Sequence, residues 1–457
     1  MSRGLRLTAK KLIVIRLWVF ALTLHYSAVS YAQNSPDPSL PQVDAPLANH
    51  ELEIAELSRT VERYRQTLAD FNGVYDASTG EIFWSLANAY FELANFAAAS
   101  STYAEALLAL RSSTGLYTQQ QLDLLEQYTS SSTSEKNWVQ VDNNLQLSTH
   151  IAGRIYDRND NRYTATANRL ASWKIRAYQD GIYRDRNDNS LQEAIRIYAR
   201  LIDDLPQSDA DYGSKLATYL SAKGIAHYYS ALYTSTIALA DFPASASETL
   251  IRQRCYQVIE IIDGQRVVTI VCEDEEIPNP QYFVSKQLEK NAVIQSQIAS
   301  MRRSFRQAVE AIETKPDATV EEIAVAILNL GDMNFLAQEY DRANAQYARA
   351  YELLSADGVS AELRDKLLGE PKKVMQGILA VSPLDTAAAA SIPTGIVSFD
   401  VSIRGDIRNI SVSGRNVDLE DANTELVMAK LRQSTYRPKI ADGRPTDSRL
   451  RISATDL

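Results

Sequence analysis

The sequence predicts a mainly α-helical protein with one β-hairpin insertion and a small ββαβ block at its C-terminal end. Three observations lead there. From about Ala45 to Gly377 apolar residues recur at three- and four-residue spacing, the period of a helix. Two β-branched runs flank Asp263-Gly264, the strongest short-range hairpin signal. After residue 394 the apolar period drops to two, that of a half-buried strand.

The chain begins with a separate object. Arg3, Arg6, Lys10 and Lys11 precede an apolar stretch from Leu12 to Leu24, interrupted by Arg16, and Ser30-Tyr31-Ala32 offers small residues for cleavage. That order predicts a signal peptide over 1–32, because the apolar run is shorter than the roughly 20 residues a membrane span needs. Membrane contact is expected only if this segment is retained. A flexible stretch over 33–48 follows. Removing 1–32 takes away five positive charges (the four above and Arg16) and no negative ones, so the formal charge moves from −10 to −15. Such an acidic chain has no electrostatic reason to bind nucleic acid or anionic lipid.

Ile54, Leu57, Val61, Tyr64 and Leu68 put one apolar stripe on the first helix. The next segment is more specific. Phe83, Leu86, Ala87 and Tyr90 are followed by Ala99, Tyr103 and Ala106, with small residues where two helices cross closely. Ile327, Leu330 and Gly331, then Tyr340, Ala343, Tyr347 and Ala350, repeat the pattern late in the chain. Between them, Thr118 and Gln121 have capping-box spacing, Trp138 and Leu145 suggest a partner helix, and Ala194, Tyr198 and Pro206 fit a second helix and its stop. The two complete matches resemble the tetratricopeptide repeat, a 34-residue helix–turn–helix unit. The resemblance spans the helical region, 49–378, and implies an α-solenoid whose inner face holds peptides or partner helices.

Within that region the hairpin is expected over about 254–273. In a two-residue hairpin Ile262 pairs with Gln265, and counting outward sets Cys255 opposite Cys272 on a non-hydrogen-bonded pair. Cα atoms there lie about 4.5 Å apart, within disulfide range. A cross-strand disulfide follows, and with it an oxidising compartment. The segment Asp157-Arg158-Asn159-Asp160-Asn161 recurs as Asp185-Arg186-Asn187-Asp188-Asn189. A calcium loop needs Gly at its sixth position and Glu at its twelfth. Arg162 and Asn168 stand there in one copy, Ser190 and Arg196 in the other. Both segments instead predict polar turns that cap helices, with Asn189 or Ser190 as an N-cap.

An Ala/Pro-containing linker is expected over 379–394. In 395–457, Val397, Phe399, Val401 and Ile403 point one way, Gly405-Asp406 turns, and a helix over about 419–431 follows. Tyr436-Arg437-Pro438 and the turn Asp442-Gly443-Arg444-Pro445 precede the final strand. This block resembles the C-terminal domain of TonB-type energy transducers. The resemblance implies a Gram-negative periplasmic domain that captures an extended peptide by strand addition, at the edge Leu450-Arg451-Ile452. The N-terminus departs from that family, because His25 has Ala21 rather than Ser four residues before it.

No catalytic, cofactor or metal site is expected. His50, His150 and His227 are isolated, and no phosphate loop, nucleophile elbow or zinc spacing occurs. The expectation is a non-enzymatic periplasmic adaptor whose partners are envelope proteins or peptides, an outer-membrane protein among them. Its rivals are an accessory component of TonB-dependent transport and an enzyme acting through dispersed carboxylates.

Overall fold

The computed structural model describes residues 45–69, 76–182, 189–243, 245–375, 377–379, 396–413, 427–428, 431 and 434–453. The expected signal peptide, most of the flexible segment and most of the linker and C-terminal helix lie outside them. The chain divides at Glu56 into two units, and the architecture below concerns Leu57 onward.

Twelve helices are present among the described residues: α1 (Ala45–Ala69), α2 (Ala77–Glu92), α3 (Phe96–Thr114), α4 (Gln119–Ser134), α5 (Trp138–Ile155), α6 (Asn161–Gln179), α7 (Ser190–Asp203), α8 (Tyr212–Thr236), α9 (Tyr282–Glu313), α10 (Val320–Leu336), α11 (Tyr340–Leu354) and α12 (Ala361–Leu368). From α2 to α12 each helix packs against the next, α2 also reaches α4, and α6 also reaches α8. No helix among the described residues is long and apolar enough to cross a membrane.

Four turns share one backbone geometry. Ala94, Lys136, Gly181 and Gln338 all take positive φ, between 55° and 72°, two residues after a helix ends. The following amides, Asn95, Asn137, Ile182 and Glu339, each bond back to a carbonyl five residues earlier at 2.8–3.0 Å. This is the Schellman arrangement, which satisfies the last carbonyls of a helix and reverses the chain. Asn95 and Asn137 then cap the next helix, accepting from the amides of Ala98 and Gln140 at 3.3 Å. The capping box expected at Thr118 and Gln121 is absent. Thr118 makes no cap bond, and Gln121 donates instead to the Gly115 carbonyl at 2.6 Å. A true capping box closes α10, between Thr319 and Glu322.

The two largest apolar clusters among the described residues run along the helices. Val61, Leu86, Ala87, Tyr103, Leu110 and Leu124 pack in the first. The second extends from Ala167 on α6 through Tyr198, Phe305 and Tyr347 to Leu379 and Ile440. Leu379, expected to start the linker, therefore belongs to the helical core. At Gly224 an added Cβ would fall 2.6 Å from the Phe305 ring, which explains how α8 and α9 approach so closely.

Between α8 and α9 rises a two-stranded ribbon, β1 (Thr249–Ile262) and β2 (Gln265–Pro278), longer than the hairpin expected over 254–273. Its register runs from Ile262 opposite Gln265 to Thr249 opposite Pro278. Cys255 and Cys272 face each other and are disulfide-bonded, with Cα atoms 4.0 Å apart. Asp263 and Gly264 both take positive φ, as a type I′ turn requires. The foot is held to α9: Glu289 accepts from Ser245 at 2.6 and 2.9 Å, and Lys286 donates to the Ala240 carbonyl at 2.7 Å.

After β3 (Lys372–Lys373), β4 (Ile396–Val401), β5 (Ile407–Ser413), β6 (Tyr436–Arg437), β7 (Lys439–Ala441), β8 (Arg444–Thr446) and β9 (Ser448–Ser453) complete the chain. The main sheet is antiparallel in the order β5-β4-β9, with Val397, Phe399, Val401, Val427, Leu431, Tyr436 and Leu450 as its core. The simple ββαβ order needs two corrections. Ile403 does not continue the buried row, because β4 ends at Val401 and Ser402–Asp406 forms the turn, leaving Ile403 52% exposed. Short strands are also added: β7 pairs with β8, and β6 pairs with β3, which precedes the expected linker.

Candidate functional site

The residues singled out from the sequence for repeat packing lie buried or half-buried between helices. Ala87, Ala99, Tyr103, Ala106, Ile327, Ala343, Tyr347 and Ala350 are almost completely buried, Leu86, Tyr90 and Leu330 are buried, and Phe83 is half-buried against the first core. Gly331 is small for a reason: an added Cβ would sit 2.6 Å from the Tyr347 ring. These side chains hold helices together and present nothing to a ligand.

An open groove of about 420 Å³ lies between α5, α6 and α7. Its apolar floor includes Tyr163, Ala167, Leu170, Ile197 and Leu201, and its rim carries His150, Arg154, Arg158 and Arg200. Tyr117 extends the rim, with the Arg154 guanidinium 5.8 Å from its ring centre and the His150 ring 5.6 Å away. Gly153 lets Tyr163 approach α5, since a Cβ there would already be 3.3 Å from that ring. Arg158 has only a distant carboxylate, Asp204 at 3.7 Å, and Arg200 makes no ion pair among the described residues. Guanidinium forks over an apolar floor fit the carboxylates of an extended peptide.

A buried charge network fixes this wall. Lys174 reaches Asp142 at 2.9 Å and Glu193 at 3.1 Å, and the Trp173 indole donates to Asp142 at 2.8 Å. Burial opposes the charge on Lys174, but the bond to Asp142 and the two carboxylates outweigh it and hold its pKa above the ordinary lysine range. One residue from each of three successive helices thereby sets their spacing. The groove arginines were missed from sequence because His150 was read as isolated. The available signal was His150, Gly153 and Arg154 at three- and four-residue spacing, on one face of a helix.

Leu450, Arg451 and Ile452 lie on β9, the outer strand of the main sheet. Leu450 points into the core, Arg451 is exposed and Ile452 is half-buried. On its far side β9 pairs with no strand among the described residues.

The C-terminal block is locked to the helices by a feature that sequence reading missed. Arg437 Nη1 lies 3.2 Å from Asp332 on α10, its Nη2 donates to the Leu367 carbonyl at 3.0 Å, and Tyr347 donates to Asp332 at 2.9 Å. Burial pushes the Asp332 carboxyl above its usual range, only partly offset by Arg437 and Tyr347. Nearby, Gly405 fits its turn against Phe335, where a Cβ would be 2.8 Å from the ring.

No family of known proteins matches this chain, and no curated protein matches it. Among solved structures it matches the crystal structure of BtubC (BKLC) from P. vanneervenii, at 15% identity and a TM-score of 0.32, over 68% of this chain and 93% of that one.

Proposed function

We propose that this chain is a non-enzymatic adaptor of the periplasm that binds extended, carboxylate-bearing peptides. The helical body is then a tetratricopeptide-like α-solenoid, a reading supported by the shared geometry of four helix–helix turns. The observation that carries the function is the groove of α5–α7, where Arg154, Arg158 and Arg200 rim an apolar floor. The side of β9 that pairs with no strand among the described residues adds a second surface, suited to strand addition in the manner of TonB-type domains.

The test is fluorescence polarisation with labelled extended peptides that differ only in having a free or amidated C-terminus and acidic or neutral side chains. Acidic, free-carboxylate peptides bind the wild-type chain, more weakly as salt rises, and Arg154→Glu/Arg200→Glu abolishes binding while the helical circular dichroism signal is kept. Equal binding by that variant, or no binding of any acidic peptide, ends the reading. The β9 edge also favours a second reading, an accessory role in TonB-dependent outer-membrane transport. That role needs an anchored N-terminus, so an exported chain that begins near Gln33 counts against it.

A further inference from the structure

We propose that the β1–β2 ribbon is a dimerisation surface, on which a second copy of this chain packs face to face about a two-fold axis. This rests on the ribbon alone and is independent of the peptide groove. The strands are fourteen residues each and rise about 45 Å, yet almost every residue is exposed, so the ribbon covers no core. An apolar sheet face of this kind needs a cover.

The two faces differ, and the difference selects the occupant. One face carries Arg252 paired with Glu275 (3.1 Å), Arg254 opposite Glu273, Tyr256 bonded to Glu273 at 2.7 Å, and Glu260 opposite Val267, so most of its charges have a partner across the ribbon. The other carries, from tip to foot, Arg266 beside Ile261, Val268 beside Ile259, Ile270 beside Gln257, the disulfide, Asp274 beside Gln253, and Glu276 beside Ile251. Its five aliphatic side chains, Ile251, Ile259, Ile261, Val268 and Ile270, are 55–74% exposed. Arg266, Asp274 and Glu276 make no ion pair among the described residues.

This face is basic at one end, apolar in the middle and acidic at the other. An isologous interface requires that residue i meet j while j meets i. Turning a second ribbon end for end sets Ile270 and Gln257 each over its own copy, Val268 and Ile259 over the disulfide, Ile261 over Gln253, and Arg266 over Asp274 at both ends. Charge complementarity and apolar burial coincide in that register.

Sedimentation velocity of the purified full chain across a concentration series tests this. Wild type dimerises reversibly. Ile270→Lys abolishes the dimer, whereas Val267→Lys, on the opposite face, leaves it unchanged. Arg266→Asp or Asp274→Arg weakens association about tenfold or more, and the double exchange restores it to within about threefold. Unchanged helical circular dichroism in each variant shows that the fold is intact. A wild-type chain that stays monomeric overturns the proposal, as does a dimer indifferent to Ile270→Lys. Failure of the double exchange to restore association overturns the register.

Discussion

The pair α2–α3 and the pair α10–α11 are built on one plan, position by position. Ala87 corresponds to Gly331, Ala99 to Ala343, Tyr103 to Tyr347 and Ala106 to Ala350, all buried. In both, the tyrosine on the second helix donates to a side chain fifteen residues earlier, Tyr103 to Asn88 at 2.6 Å and Tyr347 to Asp332 at 2.9 Å. Besides Ala87 against Gly331, the plan differs at the acceptor of the tyrosine. Asn88 is neutral and its bond to tyrosine suffices, whereas Asp332 brings a charge into a closed space and takes Arg437 from the C-terminal block as counter-ion. A packing position thereby becomes a docking position, through exchange of an amide for a carboxylate.

The largest effect separating the pairs is expected at that ion pair. Arg437→Ala leaves Asp332 buried and uncompensated, with an expected loss of about 3–5 kcal/mol in urea unfolding. Asp332→Asn/Arg437→Met, which makes the last pair resemble the first, recovers most of it. If the double variant is no more stable than Arg437→Ala, the charge is not what couples the two regions. Next comes volume. Gly331→Ala drives a Cβ into the Tyr347 ring and costs about 1–3 kcal/mol. The mirror change, Ala87→Gly, costs about 1 kcal/mol from helix propensity alone. Equal losses for the two, by thermal or urea melts, would show that the helices cross alike. A smaller difference is expected for the tyrosines: Tyr103→Phe loses about 1 kcal/mol, and Tyr347→Phe about twice that, because its acceptor is ionised.

The smallest effect is in pH. Both pairs are capped by a carboxylate, Asp76 bonded to the Thr79 amide at 2.7 Å and Glu322 to the Thr319 amide at 2.8 Å. A bond from Lys315, then the Thr319 amide and hydroxyl, lowers Glu322 to about 2, and bonds from Thr79 and Ser78 lower Asp76. Depressed folded pKa values give stability that is present above pH 4.5 and lost as pH falls toward 2. The gap in urea midpoint between wild type and Glu322→Gln therefore closes across that window. A gap that persists at pH 2 would mean the cap does not act through its charge.

Legibility in the sequence followed the chemistry of the buried face. The first and last pairs are readable because they bury Ala, Tyr and Leu at helical spacing. The unit between them is not, because α4 buries Gln121, Thr129, Ser131, Ser132 and Thr133. The threonine hydroxyls bond their own backbone, Thr129 to the Leu125 carbonyl at 2.6 Å and Thr133 to the Thr129 carbonyl at 2.7 Å, while Ser131 donates to the Phe96 carbonyl of α3 at 3.0 Å, so polar residues fill a tight crossing without an apolar period. The ribbon register could be counted from its turn, because two-residue loops leave no freedom. The groove was signalled only by His150, Gly153 and Arg154 on one helix face, and the Asp332–Arg437 pair could not be read. Each joins charges from separate elements, and a lone Arg on a polar helix face looks like any solvated cation.

That ion pair also sets an order of events. Asp332 and Arg437 are 105 residues apart, and β6 pairs with β3, made some sixty residues earlier. A chain emerging from its N-terminus completes α10 and α11 well before Arg437 exists, so the last helical pair waits with an open seam around Asp332. Closure of that seam has to await the C-terminal residues, so the helices before them are completed by chain made about a hundred residues later.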